Sequence, residues 1–267
     1  MGKKRKLKTT NITSSTQINM WFAMATESMK IKDWDGVIQI CKQILLHLPK
    51  KSNDRADALS YLGNAYAMQQ EFGAAYQALG EALTITPKDA FLWFNRGLTD
   101  RYLSLTGQSV RDLEKAVSLL QDTTMLRKFR DELRFSEKIA QSELSIRHKG
   151  FTLEQLIQQQ EYFYQGNNLM LERKWAEAEQ AFKNAIMMSD CLPNPQGNLG
   201  ICLMMQRRFD EAEVALKRAL EIDKKYDLAK QNLKILADVK TGGPLPDFTF
   251  TEPFKGKTKV SMTVYKE

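Results

Sequence analysis

Residues 61–87 read YLGNAYAMQQEFGAAYQALGEALTITP, and residues 164–190 read YQGNNLMLERKWAEAEQAFKNAIMMSD. Aligned without gaps, the two stretches share glycine, asparagine, alanines, an aromatic and a bulky apolar residue at the same offsets. A 34-residue frame started at Ala56 puts Leu59 at position 4, Leu62 at 7, Gly63 at 8 and Tyr66 at 11. Ala75 then falls at 20, Leu79 at 24, Ala82 at 27 and Pro87 at 32. The adjoining frame from Ala90 has Trp93 at 4, Gly97 at 8, Leu113 at 24 and Ala116 at 27. A frame from Gln159 has Gly166 at 8, Ala178 at 20, Phe182 at 24 and Ala185 at 27. The frame from Pro193 has Gly200, Ala212, Leu216 and Ala219 at those same positions. A weaker copy starts at Ile18, with Trp21 at 4 and Pro49 at 32. Position 17, which did not set the frame, is aromatic in four copies (Trp34, Phe72, Trp175, Phe209) and Thr106 in the third.

Positions 4, 7, 8 and 11 recur at three- and four-residue spacing and so line one face of a first helix. Positions 20, 24 and 27 line a second. Glycine inside a helix costs about 1 kcal/mol relative to alanine, so Gly63, Gly97, Gly166 and Gly200 imply a close approach of two helix backbones. Ala75, Ala82, Ala178, Ala185, Ala212 and Ala219 read the same way. Pro49 and Pro87 stop second helices. Such helix pairs bury their apolar faces only by stacking on neighbours.

The pattern resembles the tetratricopeptide repeat family, whose signature W-x2-L-G-x2-Y…A-x3-F…P repeats every 34 residues. Five copies cover 170 of the 267 residues. The resemblance implies an all-α superhelix with residues 18–123 holding three repeats and 159–226 holding two. Residues 124–158 lie between them as a helical connector, a degenerate repeat. There Leu126, Phe129, Leu133, Ala140 and Leu144 mark an amphipathic helix with a basic outer face. His148-Lys149-Gly150 reads as its stop, and Thr152 with Gln155 as a capping box for the next helix. Residues 227–240 form a capping helix with Leu228, Leu233 and Leu236 on one face.

In this family positions 2, 5, 6, 9 and 12 line a concave groove where peptides or helices bind. The resemblance therefore nominates Asn64, Asn95, Asn167 and Asn198 as groove residues, with Phe91, Phe94, Phe163 and Tyr164 as apolar anchors beside them. An asparagine both donates and accepts, and so can hold a peptide backbone irrespective of its sequence. The clamp that some members use on a chaperone C-terminal carboxylate also needs cations. Here Ser60, Phe163, Met125 and Phe129 stand at those positions, so that clamp is not expected.

The net charge is +7. Residues 1–15 carry five bases and no acid, and residues 124–150 carry seven bases and four acids, while each repeat block is near neutral. Residues 1–17 read as a basic disordered tail. The charge supports a second expectation, a nucleic-acid- or ribosome-associated factor using that tail and the connector; the neutral repeat blocks argue against nucleic acid as the partner of the body. Cys41, Cys191 and Cys202 form no CxxC pair and read as buried or incidental thiols. No apolar run of transmembrane length and no signal-peptide core is present, so a cytoplasmic protein is expected. His47 and His148 stand a hundred residues apart, and no motif of a hydrolase, kinase or metal site occurs. No catalytic residue, metal or cofactor is expected, and the function expected is a non-enzymatic scaffold for a protein or peptide partner. Residues 241–267 form a tail in which Phe248 and Phe250 alternate with threonines, as do Val260, Met262 and Val264 with Ser261 and Thr263. Three readings of this tail stand open: an unstructured terminus, a segment packed on the protein's own helices, and a partner-docking strand.

Overall fold

A computed structural model describes residues 15–245; the tail through residue 14 and the strand-patterned segment beyond 245 lie outside the described residues. Among the described residues there are twelve helices and no strand. They are α1 (Ser15–Lys30), α2 (Trp34–His47), α3 (Asn53–Met68), α4 (Phe72–Ile85), α5 (Ala90–Tyr102) and α6 (Thr106–Leu119). The long α7 (Thr123–Ser145) follows, then α8 (Leu153–Leu171), α9 (Trp175–Met188), α10 (Pro193–Met205), α11 (Phe209–Ile222) and α12 (Asp227–Lys240). Consecutive helices pack as antiparallel pairs, each pair stacking on the next, as a solenoid requires. Helix α1 begins three residues inside the stretch assigned to the disordered tail. Its first residues are polar and largely exposed, so extending the helix over them desolvates little.

Sequence-local chemistry sets the boundaries. Asp33, Ser52, Asp89 and Asp122 each accept a backbone N–H at a helix start, satisfying donors that lack an intrahelical partner. Thr152 and Gln155 form the expected reciprocal capping box on α8. That helix runs unbroken into the fourth repeat, so the boundary read at residue 158 falls inside it. Gly150, at φ +90°, turns the chain between α7 and α8. The position-17 residues Trp34, Phe72, Thr106, Trp175 and Phe209 each open the second helix of a repeat.

The turn between the paired helices was not legible in the sequence. Lys32, Gln70, Ser104, Arg173 and Arg207 all adopt left-handed backbone, with φ between 58° and 65°. Each stands at position 15 of its frame. In every copy the N–H of position 15 donates to the carbonyl of position 12, and that of position 16 to position 11, as in Gln70→Ala67 and Glu71→Tyr66. This is the Schellman closure, which usually recruits glycine; here five side-chain-bearing residues hold it. The left-handed well costs an L-residue about 1–2 kcal/mol, and glycine gives back part of that in chain entropy. Lys32→Gly is therefore expected to raise stability by about 0.5–1 kcal/mol, read as a higher urea midpoint.

The repeat glycines serve a different contact from the one expected. A Cβ on Gly63 would meet Leu79 Cγ at 2.7 Å, on Gly97 Leu113 Cγ at 2.8 Å, on Gly166 the Phe182 ring at 2.6 Å, and on Gly200 Leu216 Cγ at 2.6 Å. Position 8 thus receives the position-24 side chain of its own repeat. The backbone carbonyls of Ala75 and Ala212 lie further off, at 3.4 and 3.3 Å from such a Cβ. The six nominated alanines are all fully buried. Gly166→Ala is expected to cost about 1–3 kcal/mol, because an aromatic ring in a filled core yields poorly, despite the helix propensity gained. Thermal unfolding measures it; an unchanged midpoint would show that the ring moves aside at no cost.

Candidate binding groove

The two repeat blocks meet where α8 crosses α6. A Cβ on Gly107 would meet Ile157 Cγ1 at 2.7 Å, so this glycine lets α8 approach. The Gly107 N–H donates to Gln160 Oε1 at 3.0 Å, and Gln160 Nε2 reaches Thr106 Oγ1 at 2.8 Å and Glu143 Oε2 at 2.7 Å. These bonds account for the missing aromatic at position 17 of the third repeat: the Thr106 hydroxyl holds Gln160 across the seam, a bond an aromatic ring cannot supply. The third copy also carries Ser109 at position 20, where Ala75, Ala178 and Ala212 stand in other copies. Its hydroxyl donates to Gly97 O at 2.6 Å and contacts Ser136 Oγ of α7 at 2.9 Å.

Along this seam lies a cavity of about 750 Å³, bounded by the α3–α4 and α5–α6 turns, the end of α7, and α8, α10 and the start of α12. Of the nominated residues, Phe163, Tyr164, Asn167 and Asn198 line it. Phe163 meets Phe182 edge-on at 5.7 Å, and Tyr164 meets Tyr76 edge-on at 5.8 Å. Asn198 Nδ2 donates to Asn167 Oδ1 at 2.8 Å, so the fourth and fifth repeats present their asparagines as one bonded pair.

The other four nominated residues are placed elsewhere. Asn64 and Asn95 are only 2% and 3% exposed, and neither borders the cavity. Phe94 is fully buried and stacks on Phe129 of α7 at 3.9 Å, while Phe91 meets the same ring edge-on at 5.5 Å. The connector therefore takes up the anchors of the first block as core.

Sequence reasoning missed the apolar rim. Ile146, Leu171 and Leu228 border the cavity and remain 53%, 48% and 39% exposed. Leu228 was read as one of the packing leucines of the capping helix; it stands instead at the groove's edge. The spacing of Leu171, one turn past Asn167, was the available signal. Seven amides also line the space, among them Gln159 and Gln160 at its floor. Its charged groups, Glu143 and Arg147, are tied up. Arg147 Nε donates to Gln159 Oε1 at 2.7 Å, Nη1 donates to the Glu143 carbonyl, and Nη2 lies 3.8 Å from the Glu143 carboxylate. Burial pushes the Glu143 carboxyl up and the Arg147 guanidinium down. The groove is thus amide-lined, apolar at its rim and near neutral.

Residues 169–234 match the family model of the tetratricopeptide repeat; the left-handed turn of that stretch recurs in all five repeats and its glycine contact in four. The protein carries tetratricopeptide repeats in that stretch. Its solenoid is similar to the TPR2AB-domain:pHSP90-complex of yeast Sti1, at 17% identity over 85% of each chain with a TM-score of 0.40. It is similar also to YrrB, a TPR protein with an unusual peptide-binding site, at 16% identity over 80% of this chain and 90% of that one, with a TM-score of 0.36. A tetratricopeptide repeat protein from Parabacteroides merdae matches at 14% identity over 84% of this chain and 86% of that one, with a TM-score of 0.40. No curated protein matches the sequence.

Two further features of this tetratricopeptide solenoid bear on its surface. Two of the connector's cations share one acid, Asp131 sitting 4.0 Å from Arg127 and 3.1 Å from Arg134, while its Glu132 binds Arg101 of α5 at 2.8 Å. Beneath the seam, Arg96 chelates Asp112 through Nε at 2.5 Å and Nη2 at 2.9 Å, and Gln108 adds a third bond at 2.7 Å. Asp100, nearby and fully buried, receives no hydrogen bond from any N–H or hydroxyl and lies against the Asp112 carboxyl. Among the described residues no group of three or more His, Cys, Asp or Glu side chains is placed to hold a metal, and no helix is long and apolar enough to cross a membrane.

Proposed function

We propose that the protein is a non-enzymatic scaffold that binds a segment of another protein in the groove at the seam. One observation carries this reading. Three large apolar side chains, Ile146, Leu171 and Leu228, stand exposed around a cavity of about 750 Å³ whose floor is amide-lined. Apolar rims around well-placed polar groups are the common form of a recognition site. The amides fix a peptide backbone and the rim buries side chains, so binding should depend little on salt. A nucleic-acid partner in the groove is disfavoured by the groove's neutrality, since phosphate binding needs unneutralised cations.

The test uses Ile146→Glu/Leu171→Glu in the full chain. Both side chains are half exposed, so the fold should change by no more than about 0.5 kcal/mol, which circular dichroism melting verifies. Proteins captured from lysate of the source cell by wild type are expected to be depleted on the variant by roughly tenfold or more, the loss that follows from no longer burying a leucine-sized side chain. The same set captured at equal strength overturns the reading. Asn167→Ala/Asn198→Ala should weaken capture, whereas Asn64→Ala/Asn95→Ala should act only through stability.

A further inference from the structure

We propose that the groove at the seam holds an uncharged, extended segment from the interior of a partner chain, about six residues long, with apolar side chains at alternate positions; this rests on the groove being a binding site.

Glu143 and Arg147 are the two charged side chains that line the cavity. Each is compensated within the protein. The Arg147 side chain is 1% exposed, with Nε and Nη1 bonded to Gln159 and to the Glu143 carbonyl and Nη2 3.8 Å from the Glu143 carboxylate. That carboxylate accepts from Gln160 Nε2 at 2.7 Å. A carboxylate or ammonium brought in by a partner would lose its water and find no unpaired charge of opposite sign, which is unfavourable. Both ends of a chain carry such a charge, and so do the side chains of Asp, Glu, Lys and Arg. The groove therefore suits the interior of a chain, and an uncharged part of it.

Helix α8 lines the cavity from Gln159 to Leu171, about 18 Å at 1.5 Å per residue. An extended chain covers that length in about six residues at ~3.3 Å each. A helix of the same length is about 10 Å across and fills about 1,400 Å³, well beyond the cavity's 750 Å³.

Hydrogen bonding favours the same form. Asn198 Nδ2 donates to Asn167 Oδ1, and after that bond Asn167 keeps its amide N–H groups and Asn198 its carbonyl oxygen. A donor beside an acceptor matches the C=O and N–H of a peptide unit. In a helical partner those groups are already bonded internally; in an extended one they are free to meet the asparagine pair. Side chains of an extended segment alternate between its two sides, so every second one meets the apolar rim of Ile146, Leu171 and Leu228.

The experiment selects random linear peptides, displayed on phage and long enough to hold either form, on the immobilised full chain. The expected consensus has apolar residues at every second position, no Asp, Glu, Lys or Arg among them, and no fixed distance from the peptide's end. A synthetic copy, read by fluorescence anisotropy, should bind within about twofold as tightly with both ends blocked and at high salt. Its affinity should fall roughly tenfold or more on Ile146→Glu/Leu171→Glu. Apolar residues spaced by three and four, a required charged residue, loss of binding on blocking the ends, or no enriched sequence would each overturn the proposal. Failure here and failure of the groove reading are separable. A helical or charged consensus that loses its binding on Ile146→Glu/Leu171→Glu removes this inference and leaves the groove as a binding site. A peptide of the expected kind that binds the variant as tightly as wild type removes the groove reading itself.

Discussion

Phe129→Ala is expected to lower the stability of the whole chain by about 3–5 kcal/mol, the usual cost of emptying a fully buried aromatic site. The residue lies in α7, in the stretch that carries no repeat signature. A connector that merely tethers two blocks would lose almost nothing. The structure assigns α7 a different part. The Phe129 ring is completely buried, stacks on Phe94 at 3.9 Å with 12° between planes, and meets Phe91 edge-on. Ser109–Ser136 and Arg101–Glu132 fasten the same helix further along. Helix α7 thus caps the first block and buries the face that its third repeat would otherwise expose. Urea unfolding followed by circular dichroism reads the loss as a lower midpoint; an unchanged midpoint would return α7 to the status of a linker.

Asp100→Leu is expected to stabilise the protein by about 1–4 kcal/mol at neutral pH, as when buried charge is replaced by an apolar side chain of matching shape. Leucine and aspartate branch alike at Cγ, and Leu169 and Leu203 already occupy this eleventh frame position in the fourth and fifth repeats. Arg96 is not orphaned, because Asp112 and not Asp100 chelates it. Burial, followed by repulsion from Asp112, holds the Asp100 carboxyl well above the carboxylate range. The sign of the pH dependence follows from linkage. The folded state binds the proton more tightly than the unfolded state, whose carboxyl titrates near 3.8. Stability is therefore drained as pH rises from there through the folded value. The advantage of the leucine variant should grow from pH 4 to pH 7. A difference in melting temperature that stays constant over that range would show that Asp100 titrates normally.

The division of the candidate site shows what repeat position can convey. Asn167 and Asn198 reach the groove and bond to each other; Asn64 and Asn95 occupy matching frame positions and are closed off. Frame position records which side of a helix a residue faces. Whether that side meets solvent depends on which helix packs next, and α7 carries no signature announcing that it covers Phe91 and Phe94. Ile146 follows α7, Leu171 ends α8 and Leu228 lies in the first turn of α12, and no local spacing marks the three as neighbours of one another.

By itself the sequence determined the helix pairs and their stacking within each block. Each depends on contacts within one 34-residue unit or with the adjoining one, such as Gly63 with Leu79 or Gly166 with Phe182, and the repeat writes such contacts several times over. Only the tertiary structure decided the seam. There the third repeat departs from the pattern at Asp100, Thr106, Gly107 and Ser109, and those side chains meet α7 and α8 or lie beneath their crossing. They depend on residues up to 54 positions away, as in Gln160 with Thr106. A contact made once, at long range, leaves no periodic trace, and the groove is built of such contacts.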